Sequence, residues 1–189
     1  KRPSGLQTYK MPKKCPSCGA GATKGSENSI LKCSAGWECP SQLKNGLLHF
    51  VSRKAMDIEG IGNKLIDQLI EKSMLKSPED FYFLSVNKLE KLDRMGEKSA
   101  RNIIDAIDKS KNTSLSRFVY SLGIPNVGET TARDLALQFP DLETLKAAEV
   151  ENLICLDDVG PIVAKSVVDF FRQKNNRFII DSLIKSGIK

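Results

Sequence analysis

Leu92-Asp93-Arg94-Met95-Gly96 is one of four short segments that share a single order: apolar residue, two variable residues, apolar residue, glycine. The others are Ile58-Glu59-Gly60-Ile61-Gly62, Ile124-Pro125-Asn126-Val127-Gly128 and Leu156-Asp157-Asp158-Val159-Gly160. Their final glycines are spaced 34, 32 and 32 residues apart, and a regular period of this size signals an internal repeat. Four residues beyond each glycine stands Ile66, Ala100, Ala132 or Ala164, and seven beyond it Leu69, Ile103, Leu135 or Val167. Positions at this spacing share one helical face, so each glycine is expected to open an amphipathic helix. Upstream, Pro78 to Leu92, Ser114 to Leu122 and Leu142 to Leu156 read as the preceding helices. The unit is therefore helix, tight turn, helix, with a small residue letting the two helices approach.

This is the helix-hairpin-helix pattern, and its shape predicts its chemistry. The turn glycine is expected to end one helix in a conformation costly to other residues and to bring the backbone close to an outside ligand. The following helix then presents unpaired amide N–H groups and the positive end of its dipole, a ready nest for a DNA phosphate. The residues expected to form this surface are Gly60, Gly62 and Lys64 in the first repeat, Gly96, Lys98 and Ser99 in the second, Gly128, Thr130 and Thr131 in the third, and Gly160 in the fourth. The fourth repeat offers Ile162 where the others carry Lys or Thr, so it should bind phosphate least. Contacts of this kind read phosphates and groove shape rather than base edges, so binding should be largely independent of sequence. Helical hairpin repeats also serve as protein-interaction modules, which is the competing reading.

Working outward to the start of the chain, Cys15, Cys18, Cys33 and Cys39 lie in the order Cys-x2-Cys, 14 residues, Cys-x5-Cys, with Gly19 following the first pair. Four thiolates converging at about 2.3 Å on one ion make a structural zinc site, and a closed set of four ligands leaves no open position for catalysis. A segment so poor in large apolar groups needs such a staple to fold. Two disulfides or four unrelated thiols are the alternatives, and nothing in the sequence supports the oxidising compartment that disulfides require. Cys39 is the least regular of the four by spacing. Cys155, in the apolar run Leu153-Ile154-Cys155-Leu156, is expected to be buried as a small hydrophobe, and His49 to be a packing residue. Pro40 can open a helix running through Val51.

Composition agrees with a folded DNA-binding protein. The 189 residues are 40% hydrophobic and 28% charged, an ordinary globular balance that excludes disordered and collagenous classes. No apolar run exceeds five residues, against the roughly 18 that a membrane-spanning helix needs. The first residue is Lys and no secretory signal is evident, so the chain reads as part of a longer protein. Its net charge of +6 is unevenly spread: residues 1–54 carry ten basic and two acidic side chains, and the remainder 19 and 21. A broad cationic face is thus unavailable beyond residue 54, whereas backbone nests need none.

The order of these parts resembles the C-terminal half of bacterial NAD-dependent DNA ligases. The resemblance rests on Tyr9-Lys10-Met11-Pro12, the cysteine spacing, His49-Phe50-Val51-Ser52-Arg53-Lys54-Ala55-Met56-Asp57 and the stretch Leu92 to Ala100. It implies a mostly α fold: residues 1–14 as a linker or the tail of a preceding OB-fold, 15–50 as a four-cysteine zinc finger, and 51–189 as four hairpins. It further implies a cytoplasmic enzyme of replication and repair that seals nicked duplex DNA, with NAD and magnesium used by other domains of the same chain. None of that chemistry is carried in these residues: the signature Lys-x-Asp-Gly is absent, no paired carboxylates suggest a magnesium site, and Gly60-Ile61-Gly62 lacks the third glycine of a dinucleotide fold. A non-catalytic hairpin DNA-binding factor or a repair nuclease subunit are the alternatives.

Overall fold

The computed structural model describes residues 10–24, 31–156 and 158–189. Most of the expected tail at 1–14, including Tyr9, lies outside the described residues, as does Asp157 of the fourth turn. The chain divides into two compact units, Lys1–Leu43 and Lys44–Lys189.

The first unit is built around a strand pair absent from the sequence reading. Strands β1 (Ala22–Lys24) and β2 (Leu31–Cys33) are antiparallel, with Ala22 opposite Cys33 and Lys24 opposite Leu31. A single bridge between Lys14 and Gly21 ties the first cysteine turn to the pair. A 3-10 turn, Gly36–Glu38, then leads to Cys39, and Pro40 opens helix α1 (Pro40–Val51) as expected. Among the described residues of this unit only Cys39 and Leu43 are buried. So thin an apolar core supplies little folding free energy, and the unit depends on cross-links of another kind.

The second unit is all helical. Helix α2 (Asn63–Glu71), a 3-10 turn (Pro78–Phe83), α3 (Val86–Leu89), α4 (Glu97–Ser110), α5 (Leu115–Ser121), α6 (Glu129–Gln138), α7 (Leu142–Lys146), α8 (Val150–Ile154), α9 (Pro161–Arg172) and α10 (Lys174–Lys185) follow in order. Every residue expected on the inner faces is buried: Ile66, Ala100, Ala132 and Ala164, and Leu69, Ile103, Leu135 and Val167. Burying side chains of this size contributes about 1.5–3 kcal/mol each for the larger ones. Phe50 of α1 stacks on Phe81 at 6.0 Å and meets Tyr82 edge-on, while the Tyr82 hydroxyl and Ser110 Oγ pair at 3.0 Å. These contacts join the end of α1 to the second hairpin.

Two expected helices are each broken in two. Pro78 to Leu92 forms the 3-10 turn and α3, and Leu142 to Leu156 forms α7 and α8. The breaks fall at Ser85 and Glu149, whose backbones are extended. The pieces on either side of each break still bury a residue apiece, Phe81 and Leu89 around the first and Leu145 and Leu153 around the second. Cys155 also departs from expectation. It ends α8 with its thiol exposed and donating to the Glu151 carbonyl at 3.2 Å, because Leu153 takes the inward position of that short helix. Beyond the fourth hairpin, α10 packs against α9 and the 3-10 turn. The Lys189 amide donates to the Lys111 carbonyl at 2.8 Å, fastening the C-terminal end to the end of α4.

Candidate nucleic-acid interface and metal centre

Three of the four turns share one hydrogen bond, and all four differ from expectation in one respect. In the second, third and fourth, the amides of Met95, Val127 and Val159 donate to the carbonyls of Leu92, Ile124 and Leu156. The left-handed residue is not the final glycine but the one two positions before it: Gly60 (φ 84°), Arg94 (58°), Asn126 (65°) and Asp158 (62°). Asn and Asp tolerate this region, whereas at Arg94 it costs roughly 1–2 kcal/mol. Gly60 is glycine for an internal reason as well, since a Cβ there would lie 3.1 Å from Ile103 Cγ1.

The final glycines adopt ordinary extended backbone, φ −110° at Gly62, −92° at Gly96, −88° at Gly128 and −76° at Gly160. They do not end one helix in a costly conformation; each begins the next, its carbonyl accepting from the amide of Ile66, Ala100, Ala132 or Ala164 at 2.9–3.1 Å. A Cβ placed on any of the four would meet nothing within 4 Å. Neither conformation nor packing inside the protein accounts for glycine at these positions, and all four are exposed.

What glycine does there is leave the helix uncapped. Ser114 and Asp141 cap α5 and α7 through their side chains, accepting from Arg117 and Thr144 amides at 3.4 and 2.8 Å. Helices α2, α4, α6 and α9 receive no side-chain cap, so their first-turn amides and the dipole's positive end face outward. Lys64, Lys98 and Thr130 stand second in α2, α4 and α6 and are exposed, as is Ser99; Thr131 is half-buried. In α9 these places are filled by Pro161, which has no amide hydrogen, and by exposed Ile162. The fourth nest is the poorest in donors.

An acidic residue opens α4 and α6, where it would repel phosphate, and each is neutralised. Glu97 pairs with Arg101 and Glu129 with Lys54, both across short N···O contacts.

In the first unit the sulfurs of Cys15, Cys18, Cys33 and Cys39 all lie within 4.8 Å of one another. Cys15 and Cys39 are 3.9 Å apart and Cys18 and Cys33 3.4 Å. A tetrahedron with metal–sulfur distances of about 2.3 Å has edges of about 3.8 Å, so the cluster matches a thiolate-bound ion and can hold zinc. Local geometry explains the convergence. Gly19, left-handed at φ 76°, donates to the Cys15 carbonyl at 2.9 Å and folds the first pair into a knuckle. Gln42 donates to the Cys33 carbonyl at 3.0 Å and Ser41 to Ser17 Oγ at 2.9 Å, drawing the second pair in.

The surroundings favour thiolates at two of the sulfurs. Backbone amides of Ser17 and Cys18 hold Cys15 below its ordinary value, and the Gln42 amide leads in bringing Cys39 down to about 7. At Cys18 the Ala20 amide also favours the thiolate but is outweighed by the neighbouring Cys33 thiol, burial and the other sulfurs, which push it up to about 12. Holding all four as thiolates at this separation needs a cation among them.

Residues 52–109, which hold the first two hairpins, match the family model described as a SAM-like helix-hairpin-helix tandem, and residues 117–180, which hold the other two, match the helix-hairpin-helix motif. The repeats are helix-hairpin-helix motifs. Such motifs indicate DNA binding that does not depend on base sequence. Among the described residues no helix is long and apolar enough to cross a membrane.

Around Thr130 lies a group whose other members the sequence reading missed. Arg53, Lys54, Ser116, Arg117, Tyr120, Glu129, Thr130 and Arg133 line an open cleft of about 580 Å3. Their positions along the chain carry no common spacing that would have marked them.

Proposed function

We propose that this chain is the DNA-gripping portion of an NAD-dependent DNA ligase, holding nicked duplex during replication and repair in the cytoplasm. The observation that carries the DNA-binding part is the fourfold recurrence of a glycine that the protein's own structure does not require, each placed where it leaves a helix N-terminus open. A phosphate is the ligand that needs both the amides and the missing Cβ. Gly62, Gly96 and Gly128, with Lys64, Lys98, Ser99, Thr130 and Thr131, form the principal contacts; Gly160 contributes least.

The ligase part is supported by order and spacing: a four-cysteine cluster with x2, x14, x5 intervals directly ahead of four hairpins. Cys15, Cys18, Cys33 and Cys39 would hold zinc, which supplies rigidity rather than reactivity because all four positions are protein ligands. Adenylation with NAD and the magnesium-dependent sealing step belong to other domains of such an enzyme. The contribution of these residues is alignment: binding energy spread along the duplex holds the two ends of a nick in register.

The test has two arms. Fluorescence anisotropy with nicked and intact duplexes of unrelated sequence should show binding that is insensitive to sequence; no measurable binding would overturn the DNA reading. Incubation with NAD labelled in the adenylate should leave this chain unlabelled, while the longer protein carrying it becomes adenylated and seals nicks. A covalent adenylate on this chain, or a longer protein without sealing activity, would overturn the ligase reading.

A further inference from the structure

We infer that the cleft lined by Arg53, Lys54, Arg133 and Thr130 is a second phosphate-contact site, gripping the DNA strand next to the third hairpin's nest; this rests on the DNA-binding reading above. Residues 44–189 are close to neutral, with 22 basic against 21 acidic side chains. Yet four cations, Arg53, Lys54, Arg117 and Arg133, line this one cleft beside a single carboxylate, Glu129. Such convergence in a unit whose net charge is only +1 marks an anionic ligand.

The cleft is continuous with the nest. Thr130, the second residue of α6, belongs to both, so a strand whose phosphate sits on the α6 amides passes its neighbouring phosphates along this wall. The cations divide into one that builds and three that bind. Arg117 is committed: its Nε donates to the Ala55 carbonyl at 2.9 Å, its Nη2 to the Arg53 carbonyl at 2.6 Å, and it pairs with Asp57 at 3.5 Å. It is a positioning residue, fixing the segment 53–55 that presents Arg53 and Lys54. Arg133 is exposed, its one ion-pair contact among the described residues being Asp134 at 4.0 Å, and Lys54 is exposed and pairs with Glu129 at 2.7 Å. Glu129 therefore occupies Lys54 in the free protein, and an arriving phosphate must displace it. The carboxylate is a competitor built into the site.

The experiment measures the affinity of the whole chain for a fluorescein-labelled mixed-sequence duplex between 50 and 200 mM salt. Each phosphate neutralised by a side chain adds about 0.9 to the slope of log K against log salt. Arg53→Ala with Arg133→Ala should lower the slope by nearly two, shrinking the loss of affinity across that fourfold salt range by about 12-fold. Glu129→Gln should instead tighten binding, and by more than Glu71→Gln, which makes the same charge change outside the cleft. Lys174→Ala, also outside it, sets the effect of losing one unrelated charge.

A double variant whose slope falls no further than charge loss at Lys174 predicts, or a Glu129→Gln variant no tighter than Glu71→Gln, overturns the cleft while leaving parent binding and the hairpins intact. A parent that binds no duplex overturns the cleft and the DNA reading together. Should the double variant fold poorly by thermal melting, Arg53→Ala and Arg133→Ala made singly decide the matter, each expected to lower the slope by about 0.9.

Discussion

Replacing Gly128 by serine separates a glycine needed by the fold from one reserved for a ligand. At φ −88° and ψ −179° the position suits any residue, and a Cβ there would touch nothing. Serine at an N-cap accepts from the second or third amide of the helix, an improvement over glycine of a few tenths of a kcal/mol. Replacing glycine where the conformation is compatible adds about 0.4–1 kcal/mol by narrowing the unfolded chain. The variant should therefore be more stable than the parent by about 0.5–1 kcal/mol. Its affinity for DNA should move the other way. The new hydroxyl takes an amide that would bind phosphate and stands where the phosphate would sit. Hydrogen bonds to a charged group contribute about 1.5–3 kcal/mol, so losing this nest should weaken binding by roughly 10- to 100-fold. Because amides are neutral, the salt slope should barely change, unlike that of a lysine or arginine variant. Thermal melting and anisotropy on the same preparations of Gly128→Ser and Gly96→Ser give both quantities. Variants that melt at or above the parent and still bind duplex as tightly would refute the nests. Variants that melt well below it would refute the claim that the fold does not need glycine there.

Two further outcomes follow from the metal cluster and from one buried acid. Purified protein should contain about one zinc per chain, and Cys39→Ser or chelation should collapse amide signals of β1 and β2 while those of α2 to α10 persist, since the second unit has its own apolar core; a metal-free protein with both strands intact would refute the assignment. Glu79 is buried with Oε2 lacking any partner among the described residues, and burial pushes its carboxyl above the ordinary value. An acid that holds its proton more tightly when folded loses stability as pH rises from the ordinary carboxylate value, about 4.3, through the folded one. Glu79→Gln should accordingly melt higher than the parent at pH 7 and show a much smaller gap at pH 4. An equal gap at both values would show that the charge is not what destabilises.

Much of the site was legible because its signals are local. A turn repeated at 34, 32 and 32 residues and the apolar positions four and seven beyond it depend only on helix periodicity, and all eight of those side chains are buried. The cysteine spacing likewise reflects the reach of two short turns, and the four sulfurs converge. Tertiary structure decided what local pattern could not. Which residue of each turn is left-handed depends on how the chain leaves the preceding helix, and it is Arg94 or Asn126 rather than the glycine two places on. The breaks at Ser85 and Glu149 leave no mark in the periodicity, since Phe81 with Leu89 and Leu145 with Leu153 stand at a spacing that one unbroken helix would also bury. The cleft of Arg53, Lys54, Arg117 and Arg133 exists only because Arg117 reaches back to the carbonyls of Arg53 and Ala55, over 60 residues earlier in the chain. Periodicity encodes which face of a helix turns inward, since that follows from one residue's relation to the next few. Which exposed charges meet on the outside depends on packing between distant segments, and no local spacing records it.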